Sequence, residues 1–174
     1  MTMQFIASAT GNGSGAIFFN NIPQTFTHLQ LRITGRAGVA STGANLYTNW
    51  YGSTSASTYS NHRLGGDGST AYAGAETGLP YVFGGAMFPG ASATANIMGS
   101  CIIDILDYTN VNKFKTLRMI GGNDRNGSGQ VILASGLIQF SGAITTGYID
   151  TEGAFTTATR ADLYGISTSE VTGA

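Results

Sequence analysis

His28-Leu29-Gln30-Leu31-Arg32-Ile33-Thr34-Gly35-Arg36 is the stretch that decides the fold class. Leu29, Leu31 and Ile33 alternate with His28, Gln30, Arg32 and Thr34. Side chains along a strand point to opposite faces in turn, so this period of two puts one face on a core and leaves the other polar. Asn96–Tyr108 carries the signal further. Cys101, Ile103 and Ile105 line one face, and Ile102, Asp104 and Leu106 the other. A helix is the rival reading there, but the β-branched content and the flanking Gly99 favour a strand.

Working outward, strands are predicted at Met3–Ala9, Ala16–Asn20, Asn45–Tyr51, Ser60–Leu64, Phe114–Ile120, Gln130–Phe140, Gly147–Ile149 and Arg160–Ile166. In Asn45–Tyr51, Leu46 and Trp50 share one face, while Tyr47, Asn49 and Tyr51 share the other. Aromatics on both faces predict that one side meets a second sheet or another subunit. Pro23 cannot donate to a central ladder, so Ile22–Thr25 reads as a corner. Gly11–Gly15, Gly65–Gly68 and Gly121–Gly129 read as turns, the last rich in residues that tolerate left-handed backbone. Asp107–Lys113 connects a hairpin, and Gly52–Tyr59 is a Ser/Thr-rich loop. Ser69–Ala95 holds seven Gly or Pro residues and reads as a long irregular excursion with one weak strand, Tyr81–Phe83. Loops of that length usually carry contacts. The expectation is one all-β domain over residues 1–174, a two-sheet antiparallel sandwich, jelly-roll-like, with about eight to ten strands.

Composition narrows the function classes. The chain has 174 residues, 42% of them apolar, so a single core is well supplied. Charged residues are only 10%, against a usual share of roughly 25%. The polar surface must then be built from Ser, Thr, Asn and Gly, which desolvate at modest cost and suit extensive subunit contacts. Net charge is −1, and the basic residues are scattered except at Lys113, Lys115 and Arg118. No basic stripe is present to neutralise a run of phosphates, so no nucleic-acid partner is expected. No signal peptide or long apolar span is read, so the expected site of synthesis is cytoplasm, without membrane insertion. Cys101 sits in an apolar run and reads as a small buried hydrophobe.

Catalytic constellations are sparse. The two histidines, His28 and His62, have no adjacent carboxylate. Asp104 and Asp107 lie three apart in an extended run and so point to opposite faces. They read as an outward aspartate and a turn former. Asp124–Ser128 faintly resembles a calcium loop, but position 135 is Ser where a bidentate Glu is required. The expectation is no enzyme, no metal and no cofactor. Trp50, Tyr51, Tyr59 and His62, beside Tyr47, form the candidate contact set for a glycan or protein partner, through stacking and neutral hydrogen bonds.

Five segments in order resemble one family. They are Ile22–Arg32 (IPQTFTHLQLR), Tyr59–Gly68 (YSNHRLGGDG), Cys101–Thr116 (CIIDILDYTNVNKFKT), Asn126–Gly129 (NGSG) and Ala161–Ile166 (ADLYGI). The pattern is similar to small virion structural proteins of tailed phages, including those of cyanobacteria and other marine bacteria. Leu117–Gly122 departs from it, being less polar than the family pattern. The resemblance implies a virion component. Size and surface then favour a capsid decoration (cement) protein, homotrimeric, on the outer capsid and in contact with the major capsid protein. A tail-fibre tip that recognises host glycans is the alternative.

Overall fold

The computed structural model describes residues 2–51 and 58–168. The Ser/Thr-rich loop expected at Gly52–Tyr59 therefore falls, at positions 52–57, outside the described residues. The described chain forms twelve strands: β1 (Thr2–Thr10), β2 (Ile17–Phe19), β3 (His28–Gly35), β4 (Gly43–Asn49), β5 (Tyr59–Gly66), β6 (Ala71–Leu79), β7 (Val82–Pro89), β8 (Gly99–Leu106), β9 (Lys115–Asp124), β10 (Gly129–Ile138), β11 (Gly147–Thr151) and β12 (Arg160–Ser167). Eight make one sheet, in the order β1-β12-β3-β8-β9-β10-β5-β6. Four make the second, in the order β2-β11-β4-β7. Every ladder between them is antiparallel. The result is the two-sheet sandwich that the alternation predicts, with a few more strands than expected.

The inward faces follow the sequence pattern. Leu29, Leu31 and Ile33 of β3 stand opposite Ile105, Ile103 and Cys101 of β8, all buried. From the other sheet, Leu46, Val82, Met87 and Ile149 close the same core. Trp50 lies flat against Gly147, where a Cβ would sit 2.3 Å from the indole ring. That close approach requires glycine. The β9–β10 hairpin turns on Asn126 and Gly127, both at positive φ (61° and 98°), with Arg125 N–H donating to the Ser128 carbonyl. Two central residues at positive φ suit the right-handed twist of the flanking strands. β9 itself runs on to Asp124, so the turn expected from Gly121 starts later.

The expected excursion at Ser69–Ala95 is corrected. It contains two full strands, β6 and β7, joined by a short turn. β6 is a sheet edge: its outward positions are Ala71, Ala73, Ala75 and Thr77, and on the inward side Tyr72 and Leu79 pack partly against the core. A strand at the margin of the larger sheet has little core to fill, so Tyr72 and Leu79 suffice and the alternation of large apolar residues is weak. β7 is buried on both faces for most of its length. Gly84 lies against Leu46, and Gly85, at φ 85°, against Ile132. The glycines that read as loop punctuation there are packing positions.

Candidate interaction surfaces

The two outer faces of the sandwich differ sharply in chemistry. On the eight-stranded sheet, pairing aligns Ile102 of β8 with Ile120 of β9, Ile120 with Leu133 of β10, and Leu133 with Leu64 of β5. These four side chains therefore form one row across four adjacent strands. All four point to solvent, with exposures of 38%, 52%, 40% and 57%. Val131 extends the exposed apolar surface on one side, and on the other Leu106 is exposed beyond an intervening polar row. Arg32 of β3 pairs with Ile102 at one end of the row, and Ala73 of β6 with Leu64 at the other.

The next row on this face is polar. Gln30 donates to Asp104 at 2.8 Å, and Arg118 donates to the other Asp104 oxygen at 2.8 Å. Ser135 and His62 continue it across β10 and β5. Asp104 is thus the outward aspartate expected, and Asp107, at φ 49°, is the turn former. Shallow grooves flank the apolar row. One, about 730 Å³, runs from Asp67 past Ile102 and Ile120 to Ser128. The other, about 710 Å³, lies between Leu64, His62, Leu106, Arg118 and Leu133.

The four-stranded sheet presents aromatics and carboxylates instead. Phe18 of β2 pairs with Tyr148 of β11, and Tyr148 with Asn49 of β4. The Phe18 and Tyr148 rings lie 5.4 Å apart. One row along, Asp150 pairs with Tyr47, and Tyr47 with Phe83 of β7. Tyr47 stacks on Phe83 at 5.7 Å and meets Tyr81 edge-on at 4.6 Å. Beyond them sits Glu152. It accepts hydrogen bonds from the Asn45 N–H at 2.8 Å, the Asn45 amide at 2.7 Å and the Tyr47 hydroxyl at 2.9 Å. Burial pushes the Glu152 carboxyl up, but these three donors more than offset it, and the group ends below its ordinary value. Tyr47 is pushed up to about 12, chiefly by burial and then by the bond to Glu152 and its charge. It therefore stays a protonated donor.

The candidate set from the sequence is dispersed by the fold. Trp50 and Tyr59 are fully buried. Trp50 stacks on Phe19 in the core, and the Tyr59 hydroxyl donates to Asn49 at 2.7 Å. Neither ring can meet an external sugar or protein, because the alternation that gives Asn45–Tyr51 two aromatic faces turns Trp50 inward. Tyr51 stays at the surface, stacked on Phe140. His62 is exposed, but on the opposite sheet, beside the apolar row. The surfaces that do form were partly readable. Ile102 and Leu106 already stood on the second face of Asn96–Tyr108, and Tyr47 on the second face of Asn45–Tyr51. Phe83 and Tyr81 were hidden in the expected excursion.

The small basic cluster also separates. Arg118 pairs with Asp104 on the outer face, Lys113 with Asp107, and Lys115 is buried. Cys101 is buried as well, and burial pushes its thiol up, which keeps it protonated. Among the described residues no group of three or more His, Cys, Asp or Glu side chains could hold a metal ion, and no helix is long and apolar enough to cross a membrane. In comparisons with protein-family models, curated proteins and solved structures, the chain matches none.

Proposed function

We propose that this chain is a virion structural protein, a capsid decoration (cement) protein that seats the outer face of its eight-stranded sheet on the shell. One observation carries the reading: the row Ile102–Ile120–Leu133–Leu64, exposed on four adjacent interior strands rather than on an edge strand. Contiguous apolar surface of this kind is uncommon on solitary soluble domains and marks protein contact sites. Strands about 4.8 Å apart, rising about 3.3 Å per residue, make the whole eight-stranded face about 900 Å². A standard interface takes about 800 Å² from each partner, so this one face suffices.

The rest of the surface fits the role. With 10% charged residues, little charge has to be stripped of water when neighbours close in. Cementing is mechanical: modest contacts repeated by symmetry add up through avidity. A homotrimer bridging neighbouring copies of the major capsid protein uses both arguments. The resemblance in Ile22–Arg32, Tyr59–Gly68 and Cys101–Thr116 supports a virion setting independently of the surface.

The test is the copy number of the chain in purified particles, measured by quantitative mass spectrometry. A decoration protein is present in numbers comparable to the major capsid protein. A handful of copies per particle overturns the proposal and favours a tail tip. An Ile120→Lys variant should fold normally but fail to bind particles lacking the wild-type chain.

A further inference from the structure

The opposite face has chemistry that a purely mechanical contact does not need. Phe18 and Tyr148 face each other across β2 and β11, the buried Asn49 follows Tyr148 on β4, and Tyr81 lies at the β7 side of the sheet against the Tyr47 ring. Four strands span about 14 Å, the reach of a short oligosaccharide. Phe18 is 58% exposed, and Tyr47, Tyr81, Phe83 and Tyr148 are half-buried, so their rings are braced by neighbours yet reachable. Beside them stand two carboxylates. Asp150 uses one oxygen to accept the Thr151 N–H at 2.8 Å, and its other oxygen accepts nothing among the described residues. Glu152 is held in place by Asn45 and Tyr47 and still has acceptor capacity, since an ionised carboxylate takes about four hydrogen bonds. Two cations border the face: Arg63 lies 4.3 Å over the Phe83 ring and is paired with Glu76, and Arg125 lies against Gly43 at the start of β4, donating to the Thr42 carbonyl at 3.0 Å.

We propose that the outer face of the four-stranded sheet binds neutral oligosaccharide, with Phe18, Tyr81 and Tyr148 as stacking platforms and Asp150 and Glu152 as hydroxyl acceptors. Pyranose rings present apolar C–H faces to aromatic rings, and their hydroxyls donate at the rim. Aromatic residues with one apolar body and a polar tip suit such a surface. Acidic sugars are disfavoured, because Asp150 and Glu152, beside the stacking rings, repel a uronate or sulfate, while Arg63 is paired with Glu76 and Arg125 is held at the start of β4 by the Thr42 carbonyl. A protein partner is the less favoured occupant: the face carries fixed, partly unsatisfied acceptors where a protein contact would need matching donors. The proposal goes beyond the decoration reading and does not depend on it. In a particle seated by its eight-stranded sheet, this face looks outward.

The test uses the isolated full chain in affinity electrophoresis through gels containing dextran, mannan or galactan, with alginate as the acidic counterpart. At least one neutral polymer should retard the chain, and alginate should not. Phe18→Ala, at an exposed position where folding is insensitive, and Tyr81→Ala should each weaken retention about tenfold, the scale of one lost ring contact of about 1.4 kcal/mol. Ile120→Lys, on the opposite sheet, should leave retention unchanged. Absence of retardation by all three neutral polymers, retention by alginate alone, or retention that survives both aromatic substitutions overturns the proposal. Particle copy number reads the decoration reading separately, so either can fail alone.

Discussion

Lys115 shows what the interior demands of a charged side chain. It opens β9 on the inward face, opposite Ile138, and is fully buried. Its ammonium donates to the carbonyl of Asn110, to that of Lys113 at 2.9 Å, and more distantly to those of Phe140 and Ser141. Burial, and secondarily the nearby Lys113 charge, lower its proton affinity, while Asp107 opposes them. The side chain thus ties the loop after β8 to the segment after β10. Lys115→Met removes the donor and strands those carbonyls, which costs about 1–3 kcal/mol. Urea titration should show a lower midpoint with an unchanged slope. Lys113→Met, which breaks only the half-exposed pair with Asp107, should cost under about 1 kcal/mol. Equal losses for the two variants would contradict the role given to Lys115.

At the scale of elements, hairpin chemistry and edge position explain most of the layout. The β9–β10 hairpin depends on positive φ at Gly127. Gly127→Ala puts a Cβ into a left-handed conformation that costs about 1–2 kcal/mol. Gly15→Ala, at a glycine with open space and no positive φ, should change thermal stability little. A melting comparison of the two variants separates a turn requirement from a general dislike of added bulk. β6 and β7 teach the complementary lesson. Strand signals fade where a strand lies at a margin, as β6 does, or where neighbours press so close that only Gly84 and Gly85 fit, as in β7. Both look like loop in a linear reading because core filling, not strand geometry, produces alternation of large apolar residues.

The whole molecule has a predictable response to acid. Glu152, Asp107 and Asp67 all lie below their ordinary values. The causes are the Asn45 and Tyr47 donors acting against burial for Glu152, the Lys113 hydrogen bond first for Asp107, and the Ser69 and Thr70 N–H groups first for Asp67. The unfolded chain takes up these protons at higher pH than the folded chain, with ordinary values of 3.8 for aspartate and 4.5 for glutamate. Their contribution is therefore fully present above about pH 4.5 and is lost as pH falls through the lower folded values. Melting temperature should be level from neutral pH to about pH 5 and then fall. Glu152→Gln should shrink the fall, and a variant whose melting curve drops as steeply as the wild type would remove Glu152 from the account.

Residue order alone determined the fold class and most strand faces. Leu29, Leu31 and Ile33 had to share a face, as did Cys101, Ile103 and Ile105, because the period of a strand leaves no other arrangement. It also carried the low charge and, in Ile102 and Leu106, a second apolar face on β8. Tertiary structure decided which of those two faces was covered. A four-stranded sheet closes only one side of an eight-stranded one, so Ile103 went inside while Ile102, Ile120, Leu133 and Leu64 were left outside in register. It decided too that Trp50 and Tyr59 are core, that Lys115 is caged, and that Tyr47, Phe83 and Glu152 meet. Those outcomes rest on pairings between strands far apart in the chain, and no local pattern encodes a distant register.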